Sequence, residues 1–290
     1  MRTKEFYSFM VKRENIRLRK EAKEPWPWTE DKILQTYKFT NVKREHDRTT
    51  KWMRNHWTRP NELMPLNMQL FNCALFRYFG TIEFAKDIGW QKQWGGANQA
   101  FVKGKAKRRL ACKEKVFTGA YVITNQGISE PKQEVVVDRF LTPFYKACPK
   151  LTMIARKTSR WQAVAEEMMK LQGFGGSGFM TKEILQDALR TPVFQTCIDR
   201  NTWCPIGPGA RRGLARVYDL PVKTRFSDTD GLSNMLELFD ERGDYWPKDM
   251  VKLELHDIQF QLCEFDKYER VKLGEGRPRS RYKNKGKEKV

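Results

Sequence analysis

Apolar and basic residues recur at helix-like spacing from Tyr7 to Lys20, until Pro25-Trp26-Pro27-Trp28 interrupts the pattern. Thr29-Glu30-Asp31-Lys32 then has the form of a helix start, with Thr29 as N-cap and Ile33, Leu34 and Tyr37 on the inner face. Between Asn41 and Trp52 a helix would stack Arg44, Asp47, Arg48 and Lys51 on one side. Phe39, Val42 and Trp52 favour half-burial of that segment, where charges must be paired or bind an anion, so Arg44 and Arg48 are candidate anion ligands. The run Leu63 to Phe79 is apolar enough for a central core helix, and 90–109 reads as helix or loop. Val116 to Thr124, ahead of Asn125-Gln126-Gly127, has the composition of one short strand. Helical spacing returns at 134–147, 161–171, 180–190, 231–240 and 250–264. The expected fold is mainly α with little strand. Residues 1–271 form one large helical region, with a possible subdivision near 150, and 272–290 form a basic, partly flexible tail.

Composition narrows the partners. Nine tryptophans and eighteen phenylalanines exclude a disordered chain, and a net charge of +20 favours a polyanion, with DNA the first candidate. No apolar run reaches the ~20 residues of a membrane helix, and the charged start lacks a secretory core, which points to the cytoplasm. Cysteines 73, 112, 148, 197, 204 and 263 contain no C-x-x-C pair, so they read as reduced and mostly buried. His46, His56 and His256 are too dispersed to suggest a metal triad, and no metal site is expected.

Four segments carry candidate chemistry. Asp199 lies a few residues ahead of Gly207-Pro208-Gly209-Ala210-Arg211-Arg212, read as a stiff turn ending in two guanidinium forks suited to phosphate oxygens. A plain structural turn with solvated arginines is the competing reading. Upstream, the glycines of Leu171-Gln172-Gly173-Phe174-Gly175-Gly176-Ser177-Gly178-Phe179 suit a hairpin that offers backbone N–H groups to DNA phosphates, Gly173 and Gly175 among them, or an ordinary connection. On a helix Glu264, Lys267 and Tyr268 share a face, as a site or as a surface ion-pair ladder. Lys105, Lys107, Arg108 and Arg109, with Arg277 and Arg279 in the tail, are candidate phosphate contacts.

Five pieces in order carry a family resemblance: Arg13-Glu14-Asn15-Ile16-Arg17; Pro27-Trp28-Thr29 with Phe39 to Arg48; Thr118 to Ile123; Gly207 to Leu214; and Leu262-Cys263-Glu264-Phe265-Asp266-Lys267-Tyr268. The chain resembles the phage alpha-glutamyl/putrescinyl-thymine pyrophosphorylases, or amino acid:DNA transferases, which are distantly similar to helix-hairpin-helix DNA glycosylases. A related helical domain accompanies phage hydroxymethyluracil DNA kinases, but this sequence has no Gly-x4-Gly-Lys-Ser/Thr loop, so kinase activity is not implied.

The resemblance implies a helix-hairpin-helix architecture and an enzyme of thymine hypermodification in an infected bacterial host. It would displace pyrophosphate from 5-pyrophosphoryloxymethyluracil in DNA with an amine, such as an amino acid or putrescine. On that reading Arg211, Arg212 and Lys267 hold the leaving group, Asp199 is the base, and Glu264 or Asp266 stand second. Magnesium suits the pyrophosphate without any motif requiring it. Glycosylase action on a modified base and plain DNA binding are the alternatives.

Overall fold

The computed structural model describes residues 1–282. The chain forms two compact units, one from Met1–Asp47 and the return from Ile206, the other from Arg48–Pro205. The divisions thus fall at 47/48 and 205/206 and not near residue 150. No strand occurs among the described residues; Tyr37 and Arg281 form an isolated antiparallel bridge. The mainly α expectation holds.

The first unit opens with α1 (Thr3–Glu21) and α2 (Lys32–Thr36). Asp31, not Thr29, caps α2: its carboxylate accepts from the backbone N–H of Ile33 and Leu34, while Thr29 Oγ1 accepts from Asp31 N. The charged stretch 41–52 is not one helix. A single 3-10 turn, Arg44–His46, ends at Asp47, whose backbone is extended.

The second unit contains α3 (Arg48–Met53), α4 (Leu66–Phe79), α5 (Ile82–Ile88), α6 (Gly96–Ala111), α7 (Thr142–Thr158), α8 (Trp161–Met168) and α9 (Phe179–Ala188). Wide-turn helix at Val135–Leu141 leads into α7. The central helix α4 packs on α7 and α9 and buries every residue from Met68 to Phe79. Asn72 and Arg77, buried with it, are matched. Asn72 Nδ2 donates to Met68 O and Gln91 O at 2.8 Å each, and its Oδ1 accepts from Gln91 N at 2.9 Å. Arg77 forms a two-point pair with Asp187, one contact at 2.8 Å. Burial opposes the Arg77 charge, but Asp187 outweighs it and holds the guanidinium above its ordinary value. Residues 116–124 make no strand pairing.

The chain returns through α10 (Pro208–Val217), α11 (Asp228–Asp240) and α12 (Leu255–Lys272). Gly207-Pro208-Gly209 is the start of α10 and not a free turn, since Pro208 takes the first helical position, where its missing N–H costs nothing. Gly209 and Gly213 are a helical turn apart and face α12. A Cβ on Gly213 would stand 2.2 Å from Leu262 O, and one on Gly209 would stand 2.9 Å from Cys263 Sγ. These glycines serve helix packing. Segment 280–282 is docked, with Lys38 N donating to Ser280 O at 2.9 Å and Tyr282 N to Thr36 O at 3.1 Å. Of the tail expected at 272–290, residues 283–290 lie outside the described residues. Of the six free cysteines, Cys73, Cys148 and Cys204 are buried and Cys112 is exposed.

Candidate nucleic-acid-binding site

Four of the five sequence pieces that carry the resemblance lie in the first unit, and three of them meet around Arg13. Loop 40–47 is pinned to α12: Gln261 Nε2 donates to Val42 O at 2.9 Å and to Asn41 O at 3.2 Å. Arg13, on α1, reaches the same junction and donates to Gln261 Oε1 and Thr40 O. Its guanidinium lies 4.7 Å from the Phe9 ring centre and 5.7 Å from that of Phe39. Burial pushes Arg13 down to about 10, against the pull of Glu264 and Asp47, so it stays charged at neutral pH. Glu264 Oε2 accepts from Thr40 N at 3.4 Å, and Lys267 Nζ lies 2.6 Å from Glu264 Oε1.

Above this floor is a pocket of about 330 Å³. Arg13, Arg17 and Lys20 line one side; Tyr37, Phe39 and Tyr282 give it aromatic faces, and Thr40 and Asn41 give it polar edges. Two buried polar atoms on its lining residues, Arg13 Nε and Thr40 Oγ1, have no hydrogen-bond partner among the described residues. Arg17 is held by Glu14 (2.6 Å) and Glu21 (2.6 Å), which keep its charge at the rim. Lys20 Nζ lies 5.5 Å from the Tyr282 ring centre, and burial followed by the charge of Lys38 lowers its pKa. The sequence places Arg13 and Arg17 in a motif without a role, Tyr37 on a helix's inner face and Tyr282 in a basic arm, and it gives Lys20 no part in a site. The recurrence of Arg13, Arg17 and Lys20 along one helical face was the available signal.

The other candidates are placed as follows. Asp199, in the second unit, is 2% exposed, and its two oxygens accept from Trp161 N (2.9 Å) and Gln162 N (3.0 Å), so it caps α8. Arg211, Arg212, Glu264, Asp266 and Lys267 lie in the first unit. Arg211 donates to Phe226 O and Asp228. Asp266 is fully buried, with Arg212 at 2.9 Å, Arg216 at 3.4 Å and Arg270 at 3.5 Å, which makes it the hub of an internal ion network. Arg211, Arg212 and Arg216, the three arginines of α10, therefore have protein partners. Arg44 is buried on the 3-10 turn, and Arg48 is exposed at the start of α3. Gly173 and Gly175 lie in the connection from α8 to α9, a placement common to the hairpin and to an ordinary helix connection. Gly173 takes φ +93°, and a Cβ there would stand 2.6 Å from the Phe140 ring, so close packing also demands glycine. On α6, Lys107 and Arg108 are exposed and Lys105 is half-buried, while Arg109 pairs with Asp87 at 2.6 Å. Arg277 and Arg279 are exposed. Glu45, Glu254 and His256 form a separate cluster whose ligand-type atoms lie within 4.8 Å of one another.

Fold and pocket together define a strongly basic helical domain with a cation-lined aromatic pocket. Residues 1–277 match the helical domain of 5-hmdU DNA kinases, and the chain belongs to that family. The 5-hmdU DNA kinase of Bacillus phage SP10 is 24% identical over 294 residues, which cover 91% of this chain and 44% of that protein. The chain thus spans less than half the length of this relative. No solved structure matches it. No helix among the described residues is long and apolar enough to cross a membrane.

These matches overturn the amine-transferase assignment. The relative is named for a kinase, a phosphorylating enzyme, and not for pyrophosphate displacement; glycosylase action or plain DNA binding fits no better. The missing P-loop motif argued against the kinases in the sequence, yet it is their helical domain that this chain matches.

Proposed function

We propose that this chain acts in the phosphorylation of 5-hydroxymethyl-deoxyuridine in DNA, binding the DNA and presenting the modified base to phosphoryl transfer. The observation that carries this reading is the first-unit pocket, set in a chain that belongs to the helical-domain family of 5-hmdU DNA kinases. A base inside a duplex is unreachable until it is flipped out, which costs a few kcal/mol. Stacking on aromatic faces returns about 1–3 kcal/mol per base, and Tyr37, Phe39 and Tyr282 supply such faces. A volume of about 330 Å³ lies at the small end of the ligand-pocket range, which suits one pyrimidine. Arg17 and Lys20 at the rim are placed for the flanking phosphates, and Asn41 offers an amide to the base edge. In the transfer the hydroxymethyl oxygen gives up its proton and attacks the γ-phosphorus of a nucleoside triphosphate. The bond from that phosphorus to the bridging oxygen breaks and the diphosphate leaves, and catalysis consists of positioning and charge neutralisation. The residues named here supply the DNA side of that reaction.

The test compares oligonucleotides bearing 5-hydroxymethyl-deoxyuridine or thymidine by fluorescence anisotropy, for the wild type and for Lys20→Gln and Tyr282→Ala. Preference for the hydroxymethyl strand, reduced in both variants, supports the reading. Equal binding of the two strands, unchanged by either substitution, refutes it. Transfer of label from γ-labelled ATP to the same strand, read as nucleoside phosphate, measures the chemistry directly.

A further inference from the structure

Glu254 is the N-cap of α12, and His256 and Asp257 lie in its first turn. Glu45 comes from the 3-10 turn some 200 residues away in sequence. Two anchors bring that turn here: Lys43 Nζ donates to Lys252 O at 2.8 Å, and Gln261 holds the carbonyls of Asn41 and Val42. Glu45, Glu254 and His256 then offer two carboxylates and an imidazole within 4.8 Å, with His256 Nε2 only 3.5 Å from Glu254 Oε2. Ligand atoms about 2.1 Å from a shared metal ion stand roughly 3–4 Å apart, so little contraction is needed.

A fourth group points the same way. Asp257 is fully buried, and its Oδ1 has no hydrogen-bond partner among the described residues and lies 3.7 Å from His256 Nε2. A bare carboxylate oxygen in the interior is costly unless a proton or cation meets it. The acids are also held in place. In a reciprocal capping box the Glu254 side chain accepts from the Asp257 backbone N–H, and Asp257 Oδ2 accepts from Glu254 N at 2.9 Å. Such hydrogen bonds orient carboxylate ligands before a metal arrives.

We propose that Glu45, Glu254 and His256, backed by Asp257, bind one divalent transition-metal ion of the manganese or zinc type. Imidazole favours that class over magnesium, and the carboxylates suit its charge. The site lies on the same loop, 40–47, that lines the pocket, and its existence does not depend on the reaction proposed there.

The experiment titrates chelator-treated full-length protein with Mn²⁺ and with Zn²⁺ by calorimetry, and examines the Mn²⁺ complex by pulsed electron paramagnetic resonance. One ion per chain, nitrogen coupling from a single imidazole, and at least a ~10-fold weaker Kd in Glu45→Gln are expected. Lack of stoichiometric binding, a complex without nitrogen coupling, or an unchanged Kd in a folded Glu45→Gln variant would overturn the proposal. Glu45 is only half-buried, which favours folding of the variant, and the wild-type stoichiometry and coupling decide the matter without it.

Discussion

Three helical glycines separate packing from propensity within one chain. Gly213 of α10 faces the backbone of α12; a Cβ there would meet Leu262 O at 2.2 Å, Leu262 C at 2.6 Å and Leu262 Cβ at 2.8 Å. Two of these atoms are backbone, so relief requires the helices to part by about 1 Å. Overpacking of that kind costs about 3 kcal/mol. Replacing glycine by alanine in a helix returns about 1 kcal/mol. Gly213→Ala should therefore lose about 2 kcal/mol, or about 4–8 °C in Tm at some 2–4 °C per kcal/mol. Gly209→Ala meets Cys263 Sγ at 2.9 Å, the end of a side chain that can rotate, and should fall within about 1 kcal/mol of wild type. At Gly104, inside α6, an added Cβ meets nothing within 4 Å, so Gly104→Ala should gain about 0.5–1 kcal/mol. Scanning calorimetry is the assay, because it resolves the unit that carries each change. A Gly213→Ala protein as stable as wild type, or less destabilised than Gly209→Ala, would refute the close approach of α10 and α12.

Other perturbations test the second unit. Asp187→Ala strands the buried Arg77 charge and should cost about 3–5 kcal/mol in urea denaturation, whereas Arg77→Met with Asp187→Leu should recover most of it. Cys197 is pushed up to about 11 from 9.0 by burial and by Asp199, so at pH 8 its thiolate fraction falls roughly 100-fold; iodoacetamide should label exposed Cys112 far sooner, with Cys197 reacting only as pH nears 11. Replacing exposed Lys107 and Arg108 by glutamine should weaken DNA binding regardless of sequence and lower the slope of log K against log salt by about 2.

Much of the fold is legible locally. Spacing marked α1, α8, α9 and α11, because amphipathic stripes and breakers act over a few residues. Failures came where two local devices competed or a distant contact decided. Thr29 and Asp31 are both good caps, and only the geometry shows the Asp31 carboxylate reaching two backbone N–H groups. In 41–52 the helical spacing of charges is real, but Asp47 Oδ1 accepts from Asn41 N at 3.2 Å and closes a loop instead. Gly209 looked like a turn residue, although its partner Cys263 is 54 positions away. The pocket was legible only in part: its arginines stood in a noted motif, but Tyr282 closes it from the far end of the chain.

Arg13 shows why the scattered motifs belong together. A guanidinium at 6% exposure is expensive, and its position is fixed by the Thr40 carbonyl, Gln261 and two flanking phenylalanines. Phe9 lies on α1 itself, and the other partners come from the loop region and from a helix more than 200 residues later, so α1, loop 40–47 and α12 are mutually constrained through one side chain. Gln261 adds the second tie by holding the carbonyls of Asn41 and Val42. A change at Gln261 alone would leave Arg13 short of an acceptor and release both carbonyls. It would disturb the polar edge of the pocket and the turn that carries Glu45 without touching either. The motifs of α1, loop 40–47 and α12 thus encode one buried junction, and the pocket edge and the turn that carries Glu45 are both built on it.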